Sequence, residues 1–408
     1  MARLGRNLES VKVQNRQTIL RLLNNSGAMS RKDIAHAVNL TSAAVTQLFS
    51  EMIEEGIIEE KGEVSEVGRV GRRKILVDIA YDCRIICSIT IEKYMTWITL
   101  ANLKGEIVET IAIATKSKIP PKEFLLKITN ECKQCIEHNQ IPQERLLGIG
   151  ISLRGVVDKE QGISYKAYGI WNEEVPVRDI VESDMNVKVI VENNMKAFAQ
   201  GEIIFGVGKQ YEKLLFLKWY PGVGSAIVID GKVYHSDSKK VPEIGHCMID
   251  ENGILCRCGK RGCLETVASI SALTKKITSI YSEEYTPFLY EQTNGETERI
   301  HQVVLSNLTG NNGAVDESVM DVILSACSKI AKTIANAVTI LGPDKVVVYG
   351  DLFENEEIYR TFVESSRRYY NFFHEDDIVK SDLCSKFFYI GGTAMVVNEL
   401  FYHVGGYE

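Results

Sequence analysis

Residues Arg84–Ala114, RIICSITIEKYMTWITLANLKGEIVETIAIA, hold three short runs rich in β-branched and aromatic residues: Ile85–Thr90, Thr96–Ala101 and Glu106–Ala114. Polar turns separate them, so the stretch predicts three consecutive antiparallel strands. Beyond it, Pro121–Asn139 predicts a helix, Leu147–Ser152 and Lys188–Glu192 predict strands, and a further helix starts at Asn194. The series then restarts. Leu214–Tyr220, Ser225–Ile229 and Lys232–Tyr234 read as strands, the last two joined by Asp230-Gly231, a dipeptide suited to the positive φ of a tight hairpin turn. Helices near Thr266–Ser279 and Val319–Leu341 and a strand at Val346–Tyr349 follow.

Three antiparallel strands feeding alternating helices and strands, written twice, describe an α/β chain of two lobes around a cleft, the actin-like (ribonuclease H-like) ATPase-type fold, with ligands expected in the cleft. Residues 282–318, rich in Glu, Asn, Thr and Gly, break the pattern and predict helical or loop insertions. The 408 residues exceed what one core usually serves. The expected domains are 1–80, 81–205 and 206–408, with a C-terminal helix that can return to the first lobe. Net charge is −7 overall. It is unevenly spread, about +2 over the first 80 residues and about −9 over the rest, which suits a small DNA-binding head and argues against a uniformly basic coat. No apolar run approaches the ~18 residues of a spanning helix, and MARLGRNLES lacks the apolar core of a signal peptide. The expected compartment is the cytoplasm, without membrane partners, so the 10 cysteines are expected as thiols or metal ligands. Cys132 and Cys135, a lone C-x-x-C in a helical pattern, are expected to pack rather than to cycle redox states.

Residues 11–79 read as three helices and a wing. Ile19, Leu20, Leu22 and Leu23 close a first helix at the turn Asn24-Asn25-Ser26-Gly27. Ser30 caps a second helix that turns Ile34, Ala35 and Val38 inward and stops at Asn39, and Thr41 caps a third from Ser42 to about Glu55. This is helix-turn-helix spacing, in which the third helix enters the major groove. Ser42, Ala43, Thr46 and Gln47 are the candidate base-reading residues, while Val45, Leu48, Met52 and Ile53 sit at core spacing. A strand follows Gly56, and GEVSEVGRVGRRKILVDI returns through a second. Within this wing Arg69, Arg72 and Arg73 can meet phosphates or a narrow minor groove, or form a solvated basic linker.

The stretch Glu243–Glu265, EIGHCMIDENGILCRCGKRGCLE, places one imidazole and three thiols in a glycine-rich loop. His246, Cys256, Cys258 and Cys263 form the Cys3His set that suits tetrahedral Zn2+, with Cys247 a competing ligand. Gly253, Gly259 and Gly262 fit the turning that brings such closely spaced thiols onto one ion. Glu243 and Glu265 bracket the set, either as acceptors for a polyol or as ordinary solvated glutamates.

GIGISLRGVVD at Gly148–Asp158 resembles the G-I-G-x-x-x-P-G-x-V-D pattern of the ROK family, whose members are sugar kinases and winged-helix repressors of carbohydrate genes. Gly222-Val223-Gly224 is similar to its second glycine loop, and the His/Cys loop to its most specific signature. The resemblance covers nearly the whole chain and implies that His246, Cys256, Cys258 and Cys263 hold zinc. It also implies that Glu243, His246 and Glu265, with Asn193 and Asn194, hold a sugar or sugar derivative. The head resembles that of the family's xylose- and N-acetylglucosamine-type repressors, in which effector binding changes operator affinity.

Departures from the pattern separate repressor from kinase. The turn that carries paired glycines in family kinases is Thr90-Ile91-Glu92-Lys93-Tyr94, where a β-branched residue and a carboxylate would crowd and repel nucleotide phosphates. The catalytic E-N-D is Glu192-Asn193-Asn194, and a carboxamide is not a base near neutral pH. Pro221 replaces a threonine, Gly350-Asp351 replaces paired glycines, Arg154 replaces a proline, and Tyr165–Trp171 lacks an asparagine before its tryptophan. Arg154 is either a surface arginine or a reader of an acidic or phosphorylated sugar. The expectation is a repressor that binds operator DNA as a homodimer or tetramer, carries Zn2+, senses a sugar and has no catalytic residues. The alternatives are an active sugar kinase with an appended head and a zinc-stabilised scaffold that binds no small molecule.

Overall fold

The computed structural model describes residues 8–64, 74–219, 221–235, 243–309 and 314–407. The chain divides into two compact units, Met1–Phe205 with Lys386–Glu408, and Gly206–Ser385. Among the described residues no helix is long and apolar enough to cross a membrane.

The first unit opens with α1 (Leu8–Ser26), β1 (Met29–Ser30), α2 (Arg31–Ala37) and α3 (Ser42–Glu54), followed by β2 (Ile58–Val64) and β3 (Lys74–Ile79). The caps read from sequence are in place: Ser30 accepts from the Asp33 N–H and Thr41 from the Ala44 N–H. Asn39 turns the chain between α2 and α3 at φ +54. Val45, Leu48 and Met52 are buried as expected; Phe49 is buried too, and Ile53 only in part. A sheet of order β1-β3-β2 forms the wing's base. Arg69, Arg72 and Arg73 lie outside the described residues.

The lobe of this unit contains β4 (Ile85–Ile91), β5 (Met95–Asn102), β6 (Ile107–Ala114), α4 (Pro121–His138), β7 (Leu146–Leu153), β8 (Val156–Asp158), β9 (Ile163–Lys166), α5 (Val177–Met185), β10 (Val189–Asn193) and α6 (Asn194–Phe205). Its sheet runs β10-β7-β4-β5-β6, antiparallel through β4, β5 and β6 and parallel through β4, β7 and β10.

The second unit repeats this order. It comprises β11 (Leu214–Trp219), β12 (Val223–Ile229), β13 (Lys232–Val233), α7 (Glu265–Ala268), α8 (Ile270–Thr278), α9 (Pro287–Thr293), α10 (Ile300–Thr309), α11 (Glu317–Leu341), β14 (Lys345–Tyr349), α12 (Glu356–Tyr369) and β15 (Ile378–Lys380). The sheet β13-β12-β11-β14-β15 again has an antiparallel meander with two parallel strands added beside its first strand. One expected helix is broken. Ser269 takes extended dihedrals and caps α8 by accepting from the Ala272 N–H, while the Ile270 N–H turns to the Pro221 carbonyl, so Thr266–Ser279 forms two helices. The insertion 282–318 contains α9 and α10, whose Leu289, Ile300, Val304 and Leu308 join the core of this unit.

The chain then returns to the first unit as α13 (Ile390–Val396), continued by a π-helical segment to Tyr402. The backbone of α13 lies directly on β7: a Cβ added to Gly150 would stand 2.1 Å from the Gly392 carbonyl oxygen, and one on Gly392 would stand 2.2 Å from Ser88 Oγ. Only glycine permits that approach.

The head is not a bead on a string. Its Ile19, Leu20, Val45, Phe49 and Met52 share one hydrophobic cluster with Ile190, Ile204, Met395, Phe401 and Tyr402 of the lobe. Polar contacts reinforce the seam. Arg16 of α1 is fully buried, and its Nε donates to the Gly405 carbonyl at 2.7 Å. Its Nη1 donates to Glu55, just past α3, at 2.9 Å, Nη2 pairs with the same carboxylate, and the guanidinium lies 3.8 Å from the Tyr407 ring centre. Gln17 donates to the His403 carbonyl, Arg21 to Asn398 and Asn24 to the Ile204 carbonyl.

Candidate functional site

In the second unit the loop after β13 folds back on itself through short bridges, Met248 with Cys263 and Leu255 with Arg261. Its glycines are required. Gly259 and Gly262 have φ +89 and +63, and a Cβ on Gly262 would stand 1.5 Å from the Asp250 carbonyl oxygen. The result gathers His246, Cys256, Cys258 and Cys263, with one ligand atom from each lying within 4.8 Å of all the others. Cys256 Sγ is 3.6 Å from His246 Nδ1, and Cys258 Sγ is 3.5 Å from Cys263 Sγ. The backbone N–H of Lys260 draws the Cys258 thiol down to about 7, while burial pushes Cys263 up to about 12. One imidazole nitrogen and three thiols facing one another, one of them readily ionised, fit a metal ion that prefers sulfur and nitrogen. Cys247 stands outside the group and is exposed.

Both flanking glutamates are anchored rather than free. Glu243 pairs with His246 Nε2 at 3.0 Å, leaving Nδ1 to face Cys256. That hydrogen bond, with Cys258 and Glu265 nearby, raises the His246 pKa against the opposing effect of burial. A carboxylate on the outer nitrogen of a ligating histidine fixes its ring and tautomer. Glu265 Oε2 accepts from the Val223 N–H at 2.8 Å and Oε1 lies 3.4 Å from Arg257. The Gly222-Val223-Gly224 loop owes its glycines partly to this contact, since a Cβ on Gly222 would stand 2.7 Å from Glu265 Oε1. Glu243, His246 and Glu265 therefore form one polar group supported by the His/Cys loop.

In the first unit the Glu192-Asn193-Asn194 run lies at the junction of β10 and α6. Asn193 is committed to the protein itself. Its Nδ2 donates to the Gly155 carbonyl at 2.8 Å, and its Oδ1 accepts from the Met195 N–H at 2.9 Å. Asn194 donates through Nδ2 to Glu92 Oε1 at 2.7 Å, and Arg154 Nη1 lies 3.8 Å from Glu92 Oε2. Sequence reasoning assigned Glu92 only a repulsive role toward phosphate. The structure makes it the hydrogen-bond partner of Asn194, the residue that the family resemblance aligns with the kinase aspartate. Trp171 is buried and donates to Ser164 at 3.0 Å.

On the head, Ser42, Ala43, Thr46 and Gln47 are exposed along α3 while Val45, Leu48 and Phe49 face inward. Thr46 bonds back to the Ser42 carbonyl, and Gln47 reaches Glu51 only at 3.5 Å, so the Gln47 amide remains available to another partner.

Comparison with known proteins agrees at both ends of the chain. A winged helix-turn-helix DNA-binding pattern matches residues 14–59, and the ROK family pattern matches residues 88–397. A protein of Caldicellulosiruptor sp. (strain Rt8B.4), named as a proposed xylose repressor, is 30% identical over 396 residues, covering 96% of this chain and 97% of its own. The DNA-binding transcriptional repressor Mlc of Escherichia coli (strain K12) is 25% identical over 364 residues, 88% of this chain and 86% of its own. A crystal structure described as a ROK family transcriptional regulator, homologous to the E. coli Mlc protein, superposes with a TM-score of 0.80 at 24% identity over 97% of this chain and 98% of its own. The winged head, the duplicated sheet order and the His/Cys loop identify the same architecture, and the chain belongs to the ROK family.

Proposed function

We propose that this protein is a transcriptional repressor of carbohydrate genes that binds operator DNA through its winged head, senses a sugar or sugar derivative in the ROK domain and transfers no phosphate. One observation carries the reading: the position of the kinase base holds Asn194, tied to Glu92 at 2.7 Å, while α3 keeps an exposed polar face. An amide hydrogen-bonded to a carboxylate cannot take a proton from a sugar hydroxyl, yet such a polar group can still bind one. The names of the relatives support the DNA-binding part. Zn2+ is the proposed metal, held by His246, Cys256, Cys258 and Cys263, because three thiolates and an imidazole complete a tetrahedron without an open position for water. The metal would order the loop and leave chemistry to no residue. Two heads on two half-sites, from a homodimer or a tetramer built of two dimers, are proposed because one winged helix buries too little surface for specific binding. A cytoplasmic location follows from that role.

The test is operator binding measured by fluorescence anisotropy, with sugars titrated against the complex. Tight, salt-sensitive binding should weaken by roughly 5- to 150-fold with the right sugar, the range of ordinary allosteric coupling. Hexose-dependent ATP consumption would overturn the reading. Changing Gln47 to alanine should relax preference at one base pair of each half-site by about 1–3 kcal/mol while leaving non-specific binding in place; a competition assay against single-base operator variants measures this.

Restoring the carboxylate, Asn194→Asp, should not produce a kinase. The new group would face Glu92 Oε1 where the amide now donates, turning a hydrogen bond into like-charge repulsion. Two carboxylates so placed hold a proton between them more readily than either alone in the unfolded chain. Their folded pKa is raised, so the variant is destabilised at neutral pH and recovers as pH falls through the carboxylate range. Thermal melts at pH 7 and pH 5, compared with the parent, check the sign. A melt difference that grows on acidification, or measurable phosphoryl transfer, would contradict the account.

A further inference from the structure

The guanidinium of Arg154 has a place but lacks adequate partners. Its side chain is 22% exposed, its Nε is buried without any hydrogen-bond partner, and its one described ionic neighbour, Glu92 Oε2, stands 3.8 Å from Nη1, beyond hydrogen-bond reach. The other oxygen of Glu92 is held by Asn194 at 2.7 Å, which keeps the carboxylate from closing on the arginine. The backbone that presents Arg154 is rigid. Gly155 has φ +119, a Cβ there would stand 2.0 Å from the Lys166 carbonyl oxygen, and its own carbonyl accepts from Asn193. A surface arginine would turn its donors to water; this one keeps Nε enclosed, with its guanidinium near the Glu92 that Asn194 holds.

We infer that Arg154 selects an effector carrying an oxyanion, the carboxylate of a sugar acid or the phosphate of a sugar ester, over a neutral sugar. A guanidinium offers Nε–H and Nη–H in one plane, a spacing matched by two oxygens of a carboxylate or phosphate and by no single hydroxyl. The long contact to Glu92 is easily exchanged. In the absence of ligand Glu92 offsets the charge of Arg154, and an incoming oxyanion supplies the short, bidentate partner that Glu92 does not. This inference rests on the proposed effector site and sharpens its ligand class.

Calorimetric titration of the full-length protein with glucose, glucuronate and glucose 6-phosphate tests it. One of the two anions should bind at least tenfold more tightly than glucose, and which one does so tells carboxylate from phosphate. Arg154→Gln should remove that preference by lowering affinity for the anion roughly 10- to 150-fold, the loss expected of a charge-assisted hydrogen-bonding pair, while affinity for glucose stays within a few-fold. Glu92→Gln supplies an independent readout that a merely structural arginine would not move: with the competing carboxylate neutralised, the favoured anion should bind several-fold more tightly. Glucose binding at least as well as both anions overturns the inference, as does an anion preference that survives Arg154→Gln or an anion affinity that falls in Glu92→Gln. If no sugar of the three binds, the inference fails with them. If glucose binds and shifts operator affinity without any role for Arg154, the inference fails while the sugar-sensing repressor stands.

Discussion

Replacing Arg16 with alanine is expected to lower stability by about 2–5 kcal/mol and to loosen the DNA-binding head from the lobe it sits on. The magnitude follows from what the side chain touches. Arg16 is fully buried, so its removal leaves a cavity between α1 and the C-terminal tail, and the Gly405 carbonyl loses the donor that reaches it at 2.7 Å. Glu55 is 37% exposed and can be hydrated in the variant, which keeps the cost below that of stranding a fully buried charge. At ~2–4 °C per kcal/mol for a unit of this size, the melting temperature should fall by about 4–20 °C. The functional consequence is larger. Glu55 follows directly on α3, so the Arg16 fork ties the end of the recognition helix to the tail of the lobe. Without it, the head loses its fixed seat on the lobe, and specific operator binding should weaken more than non-specific binding does. Anisotropy at two salt concentrations separates the two, and Arg16→Lys should rescue little, because an ammonium cannot serve Gly405 and both oxygens of Glu55 together. A variant with parental melting and operator affinity would show that the seam is held by its apolar contacts alone.

That seam was invisible in the sequence for a physical reason. The partners Arg16 and Gly405 lie 389 residues apart, and nothing local marks either one. The same holds for Glu92 and Asn194, 102 residues apart, and for the Gly150 backbone against that of Gly392. What was legible is what short-range chemistry dictates. Ser30 and Thr41 cap their helices, β-branched runs make the repeated strands, and glycines close the turns of the His/Cys loop. The His/Cys cluster could be read because its members sit within eighteen residues, His246 to Cys263, so bringing them together needs only a folded loop. Asn193 shows the converse: its residue type suited a ligand contact, but its amide caps α6, a commitment seen only with the backbone in place. The break at Ser269 has the same character, since Pro221, which accepts from the Ile270 N–H, belongs to the distant glycine loop.

Removing the proposed zinc, by chelation or by Cys258→Ser, is expected to have the largest effect of all. Structural zinc sites contribute ~10–16 kcal/mol in small peptides, and here the ion would hold a loop with few apolar contacts of its own, in which Met248, Ile254 and Leu255 are each at least 60% exposed. Loss of the metal leaves three thiols and an imidazole facing one another within 4.8 Å with only weak sulfur hydrogen bonds between them. The loop should open, and the damage should spread by a defined route. His246 would lose its fixed ring, Glu243 would lose its 3.0 Å partner, and Glu265, which follows Cys263 by two residues, would release the Val223 N–H. Effector response should therefore vanish at chelator concentrations that leave the head folded, because the Arg16 seam and the α1–α3 core lie in the other compact unit. The check is a paired measurement on one sample: metal content by atomic emission, about one ion per chain before treatment, and operator binding with and without effector after it. DNA binding that persists without effector response is the expected result. Full effector response in metal-free protein would mean that the loop's own hydrogen bonds hold the glutamates in place, and that the four ligands do not form the centre on which the site depends.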